Sequence, residues 1–384
     1  MSASTLAIVQ KSSALAAVDL GGDRSVRPLL PQGRWPAWRP GSLEMAASVI
    51  ELSQPLRSSI HLVHAETAAA TELYGSPGGV VPVIAPRVPH YVMWSPGGEQ
   101  LALVANGEFG LQLETLVPGE PTAHQVLEVG APIFSSWSRE GTTLAAHIGT
   151  ALTLFRFMSD GVSRVHIEEK ASGFRTPVFT ADGRQVLYAV PREPGVALMR
   201  YGVESGDRDE VASFAGGVAL SSLPDGNVAV AVTRQPDSGV FDGLWVLDPE
   251  ANHDRHLLVR GPFASAAWAP DGDRVALLIP SQLGDGRYSI QVRDRSGHLA
   301  AASEPFLPSQ DLRMLFGFWD QYALSHHLWS PDGSQLAITG RLPTDGVSSS
   351  FSDPAGSYVL LWNPQRHQPL EPLTPGELAF FPPA

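Results

Sequence analysis

The sequence predicts an all-β fold, a closed β-propeller built from four-stranded antiparallel blades. Three observations carry this reading. A Trp-Ser-Pro-Asp-Gly spelling recurs along the chain, its copies follow one another at a nearly constant interval, and the two ends hold complementary parts of one further repeat.

The clearest copies are Trp94-Ser95-Pro96-Gly97-Gly98, Trp268-Ala269-Pro270-Asp271-Gly272 and Trp329-Ser330-Pro331-Asp332-Gly333, each followed by a short alternating apolar segment. Looser copies begin at Trp38, Trp137, Phe179 and Ser222. Proline sets φ for the second turn position, aspartate bonds to nearby backbone amides, and glycine eases the exit into the next strand. Each copy therefore reads as a hairpin. In the segments that follow, Leu101 and Leu103, or Val275 and Leu277, alternate with the period of two that a packed strand requires.

The intervals between the starting residues of these copies are 56, 43, 42, 43, 46 and 61 residues. A base period near 43 gives room for four short strands, which is one propeller blade. The chain opens with three strand-like pieces, STLAIVQ, SALAAVDL and VRPLL, and ends in GELAFFPPA. Pairing that last strand with the first three completes a blade and removes an exposed edge. The count is then eight; it is seven if the tail lies outside the ring. Residues 1–384 read as a single propeller domain, with rim insertions near 75–89, 304–325 and 343–357.

Composition agrees with this fold and limits the functions. Of 384 residues, 43% are hydrophobic and only 17% charged, while 37 glycines and 33 prolines suit many short strands and tight turns. The formal charge of -13 disfavours nucleic acid and anionic membrane surfaces as partners. With no cysteine, disulfides, thiol catalysis and thiolate metal sites are excluded. The amino terminus has no basic start leading into a continuous apolar stretch, and no window approaches the roughly 18 apolar residues of a membrane span. These features predict a cytoplasmic protein without membrane insertion. No glycine-rich phosphate loop opens a helix, and the isolated turn aspartates do not supply a calcium cage. No cofactor or metal is expected.

With its repeats laid out, the chain resembles TolB-like β-propellers and relatives built from tryptophan-aspartate-like repeats. It is also similar to the propeller part of prolyl oligopeptidase and dipeptidyl peptidase enzymes. The resemblance covers nearly the whole length and implies the propeller fold; such propellers serve as scaffolds, binding modules, substrate gates and occasionally enzymes. The peptidases carry a hydrolase domain with a Gly-x-Ser-x-Gly elbow, and this sequence has none, so peptidase activity is not implied. The TolB-like proteins usually have a signal peptide and a small amino-terminal domain, which the sequence, starting directly with strands, does not show.

Function is expected at the insertions. Residues 75–89 and 343–357 read as loops over a rim. Residues 304–325 are different, because Phe316, Phe318, Trp319 and Tyr322 would be costly to expose at roughly 25 cal/mol per Å² of apolar surface. They are expected to form a cap or plug, or else the docking surface for a protein or peptide partner. The insertion runs into His326 and His327 just before Trp329, as His90 and Tyr91 precede Trp94 and Arg175 precedes Phe179. Such residues enter the innermost strands and line the mouth of a central funnel.

The leading expectation is a non-catalytic scaffold or binding protein that recognises a protein or peptide through rim loops. The alternative is a hydrolase or lyase in which His90, His326 or His327 acts as base, Asp320 orients it, and Arg175 or Tyr91 stabilises negative charge. A sensor of a small polar ligand is a third reading. Adjacent histidines on one strand point to opposite faces, which argues against joint metal chelation by His326 and His327.

Overall fold

Each aromatic-turn copy forms the junction between the first and second strands of a blade, and the turn chemistry runs as the spelling requires. In the last full copy, Ser330 N donates to Gln335 O at 2.9 Å and Gly333 N to Ser330 O at 2.8 Å. The Ser330 hydroxyl donates to Asp332 Oδ1 at 2.6 Å and accepts from Gln335 N at 2.9 Å. Thr180 repeats the arrangement with Asp182 and Gln185. These bonds hold both aspartates below the usual carboxylate range, the hydroxyl bond being the largest cause. The seven turn glycines adopt φ between 65° and 91°, the left-handed region that other residues avoid.

The computed structural model describes residues 5–51, 57–75, 91–107, 109–171, 175–235, 238–251, 254–343 and 356–384. It is all-β apart from short helices, with eight four-stranded antiparallel blades in a closed ring. The innermost strands of blades 2 to 8 are Arg34–Trp38, Tyr91–Trp94, Ile133–Trp137, Val178–Phe179, Gly217–Ser222, Ser265–Trp268 and Leu307–Pro308. Blade 1 is shared by the two ends: Leu378–Phe380 is its inner strand and pairs with Thr5–Val9, placing Ala7 opposite Phe380. The eighth blade expected from the termini is therefore present.

The chain divides into two compact units, 1–91 with 264–384, and 92–263. Within each, the apolar cores lie between successive blades. In the first unit, Leu6, Ile8, Ala379 and Phe381 of blade 1 pack with Ala337, Val359 and Leu361 of blade 8. In the second, Val178, Leu187, Leu198 and Phe214 of blade 5 pack with Val218, Leu220 and Val230 of blade 6.

The repeat tryptophans stitch blades together. Trp38 Nε1 donates to Phe380 O at 3.0 Å, Trp137 Nε1 to Met93 O at 3.3 Å, and Trp329 Nε1 to Ala267 O at 2.9 Å. In each case the acceptor precedes the equivalent aromatic of the preceding blade. A buried indole thus satisfies its N–H without leaving the apolar layer.

The insertion at 304–325 is helical, a departure from the strand pattern around it. Helix α1, Gln310–Gly317, and the single turn α2, Trp319–Tyr322, interrupt the inner strand of blade 8. Before them Leu307 and Pro308 pair with Arg341 and Gly340; after them Trp329 bridges to Leu336. Ser309 caps α1, accepting from Leu312 N at 3.0 Å and donating to Glu377 O at 2.6 Å. Most of the 75–89 and 343–357 insertions lie outside the described residues.

Phe381 is fully buried in the closing interface, and its N–H donates to His327 O at 2.8 Å. Replacing it with alanine is expected to cost about 3–5 kcal/mol. The urea midpoint of Phe381→Ala beside the parent protein checks this, and a shift within error would show that the closing strand carries little of the stability.

Candidate functional site

Helices α1 and α2 pack against the inner strands of their own unit. A largely buried ion pair joins Arg34 Nη1 on blade 2 to Asp311 Oδ2 in the first turn of α1 at 2.9 Å. The Arg34 guanidinium also bonds Ser13 Oγ. Removing either charge would leave its partner alone in this setting, a loss of about 3–5 kcal/mol.

Behind this pair lies a cluster of rings. Trp35 stacks on Tyr322 with centroids 4.6 Å apart, and His326 meets Tyr322, Trp35 and Phe380 edge-on at 5.3, 5.8 and 4.7 Å. Tyr91 crosses Tyr322 at 5.3 Å. Its hydroxyl donates to Gln321 O at 2.9 Å, accepts from Gln321 Nε2 at 2.7 Å and meets Ser325 Oγ at 3.0 Å. Ser325 Oγ in turn lies 2.7 Å from His326 Nδ1. Trp35 has φ of 51° at an irregularity in the pairing of its strand, a strained setting that aims its ring at α2.

Burial controls the protonation of this cluster. It raises the Tyr91 and Tyr322 hydroxyls far above their ordinary range, with the Asp320 charge adding to the effect at Tyr91. It pushes His326 down to about 3 and His327 to about 4, so both imidazoles are neutral near pH 7.

Beside the cluster is a cavity of about 230 Å³, lined by the inner strand of blade 7, by Leu315, Trp319 and Ala323 of the insertion, and by His326, His327 and Trp329. Trp268 also lines it, and its buried Nε1 has no hydrogen-bond partner among the described residues. Trp268 is thus an exception to the indole stitching seen at Trp38, Trp137 and Trp329.

The structure brings Tyr91, Tyr322 and His326 together and puts His327 on the cavity wall, where its backbone bridges to Phe381. Asp320 is buried in α2. Arg175 belongs to the other unit, where its guanidinium lies 5.5 Å over the Phe241 ring and its carbonyl is 3.4 Å from His147 Nδ1. His90 lies outside the described residues. Of the four aromatics expected to meet a partner, Phe316, Trp319 and Tyr322 are buried, and Phe318 is 41% exposed. No group of three or more His, Asp or Glu suited to a metal occurs among the described residues.

Trp35, Gln321, Ser325 and Phe380 were not among the site residues expected from the sequence. One signal was available for Trp35: it stands three residues before Trp38, as Tyr91 stands before Trp94 and His326 before Trp329. Equal offsets from the repeat aromatic select equivalent inner-strand positions.

The sequence matches no protein-family model and no curated protein. Solved structures are similar in fold. The dihydro-heme d1 dehydrogenase NirN shares 12% identity over 99% of this chain and 75% of its own, with a TM-score of 0.60. A prolyl endopeptidase shares 10% over 91% of this chain and 49% of its own, with a TM-score of 0.59. TolB from Acinetobacter baumannii shares 14% over 77% of this chain and 62% of its own, with a TM-score of 0.42. The chain therefore spans less than two thirds of the length of the last two. At such identities the likeness is one of fold alone, that of an eight-bladed propeller resembling those of other propeller proteins.

The expectation of a cytoplasmic location is corrected by this comparison, because TolB is a periplasmic protein. Lack of cysteine is compatible with either compartment and assigns neither. No helix among the described residues is long and apolar enough to cross a membrane.

His326 gives a pH dependence of defined sign. Its folded value of about 3 lies below the ordinary 6.5, so the unfolded chain binds the extra proton between these limits. Its contribution to stability is complete above pH 6.5 and falls as pH drops toward 3, by up to about 1.4 kcal/mol per pH unit. From pH 6.5 to 5 the parent should lose roughly 2 kcal/mol more than His326→Gln. Urea midpoints of both proteins across that range test it, and parallel curves would refute a neutral buried His326.

Proposed function

We propose that the protein is a non-catalytic binding propeller that recognises a peptide or protein partner by taking one of its apolar side chains into the cavity beside α2. The observation that carries this reading is the cavity's largely apolar, aromatic wall, to which Trp268, Trp319 and Trp329 all contribute. At about 230 Å³ the cavity suits one large side chain, being smaller than the roughly 300–1,000 Å³ of sites that enclose a whole small molecule. The two histidines on its wall are neutral, so neither sets a charge against an apolar occupant. Phe318, the exposed chain neighbour of the cavity-lining Trp319, offers further apolar surface to the same partner.

The hydrolase or lyase reading has less support. Ser325 and His326 are within bonding distance, yet a base titrating near 3 is poorly matched to chemistry at neutral pH. The hydroxyl of Ser325 is also shared with Tyr91 inside the packed cluster.

Selection of a displayed random-peptide library on the parent protein tests the proposal, with Ala323→Trp as a cavity-filling variant of matched thermal stability. Peptides sharing one large apolar anchor should be enriched and should bind Ala323→Trp at least tenfold more weakly, as loss of the space that buries the anchor requires. Absence of enrichment, or equal binding to the filled variant, would overturn it.

A further inference from the structure

A second site lies in the 92–263 unit, where the outer strands of blade 6 face the end of blade 5. The outermost strand Arg255–Phe263 pairs with Phe241–Leu247 through two register breaks, between Phe241 and Gly243 and between Leu244 and Trp245. Such bulges turn side chains out of strict alternation. Here they help to line an open groove of about 510 Å³ with Arg234, Arg255, Arg260, Phe214 and Trp245.

The arginines are not equivalent. Arg234 is paired with Asp242, its Nη2 lying 3.2 Å from Oδ1. The Arg255 guanidinium carbon lies 4.4 Å over the Phe214 ring and 5.4 Å from the Trp245 centroid, and Nη1 donates to Ser213 O at 2.5 Å. Neither Arg255 nor exposed Arg260 has a carboxylate partner among the described residues. Among the described residues the groove therefore holds three guanidinium groups against one carboxylate, in a chain of formal charge -13.

A guanidinium stacked on two rings is already oriented, so little side-chain freedom is lost when its remaining N–H groups meet an anion. The partly buried Trp245 ring supplies an apolar floor beside it. Gly261 has φ of 127° and open space where a Cβ would project, which keeps that part of the groove clear.

We propose that this groove binds an organic anion with an aromatic body, its phosphate or carboxylate held by Arg255 and Arg260 and its ring laid on Trp245. The probes are phenyl phosphate, benzoate and the neutral benzyl alcohol, each titrated into the full chain while the indole N–H resonance of Trp245 is followed, that resonance being assigned by its loss in Trp245→Phe. At least one anion should shift it saturably while benzyl alcohol does not, and the stronger of the two identifies the phosphate or the carboxylate as the preferred group. Arg260→Glu, at an exposed position without an ion pair among the described residues, should weaken the anion at least tenfold, and Arg255→Lys should weaken it while keeping the charge. Failure of both anions to saturate, equal binding of benzyl alcohol, or unchanged affinity in Arg260→Glu would each overturn the site.

Discussion

Everything in this protein depends on apolar packing between successive blades. A four-stranded sheet of this size buries too little by itself, and each sheet gains its core from its neighbours. The interface of Leu6, Ile8 and Phe381 with Val359 and Leu361 is the case that matters most, because the strands that make it come from opposite ends of the chain. Its register is specified by the pairing of Val9 with Leu378 through Ala7 with Phe380.

The same constraint explains why the repeat is spelled as it is. A large aromatic is needed between blades, and tryptophan brings an N–H that must be satisfied there. At Trp38, Trp137 and Trp329 the neighbouring inner strand supplies a carbonyl. The Trp268 indole nitrogen has no hydrogen-bond partner among the described residues, and its ring lines a cavity instead.

The helical insertion shows how a fold made for packing can enclose a polar cluster. Hydrogen bonds join Tyr91, Gln321, Ser325 and His326 Nδ1 inside a shell of Trp35, Tyr322 and Phe380. Desolvation keeps the histidine neutral, and the Arg34–Asp311 pair fixes the start of α1. Residues that look reactive as a string are here the means of anchoring two inserted helices to a β framework.

Sequence alone determined the blade period, the turn positions and the closing strand, because all three follow from local chemistry: a proline and glycine turn, a period of two, and unpaired strands at both ends. It also marked 304–325 as a segment that must cover apolar surface. It could not show that the segment is helical, that Trp35 joins Tyr91 and His326, or that Arg175 stands in the other unit. Those outcomes depend on contacts between residues far apart in the chain, such as Trp35 with Tyr322 and Arg255 with Phe214, and on two bulges that shift side-chain direction. Local spelling sets backbone geometry, whereas the pairing of distant side chains is decided by how the finished blades pack.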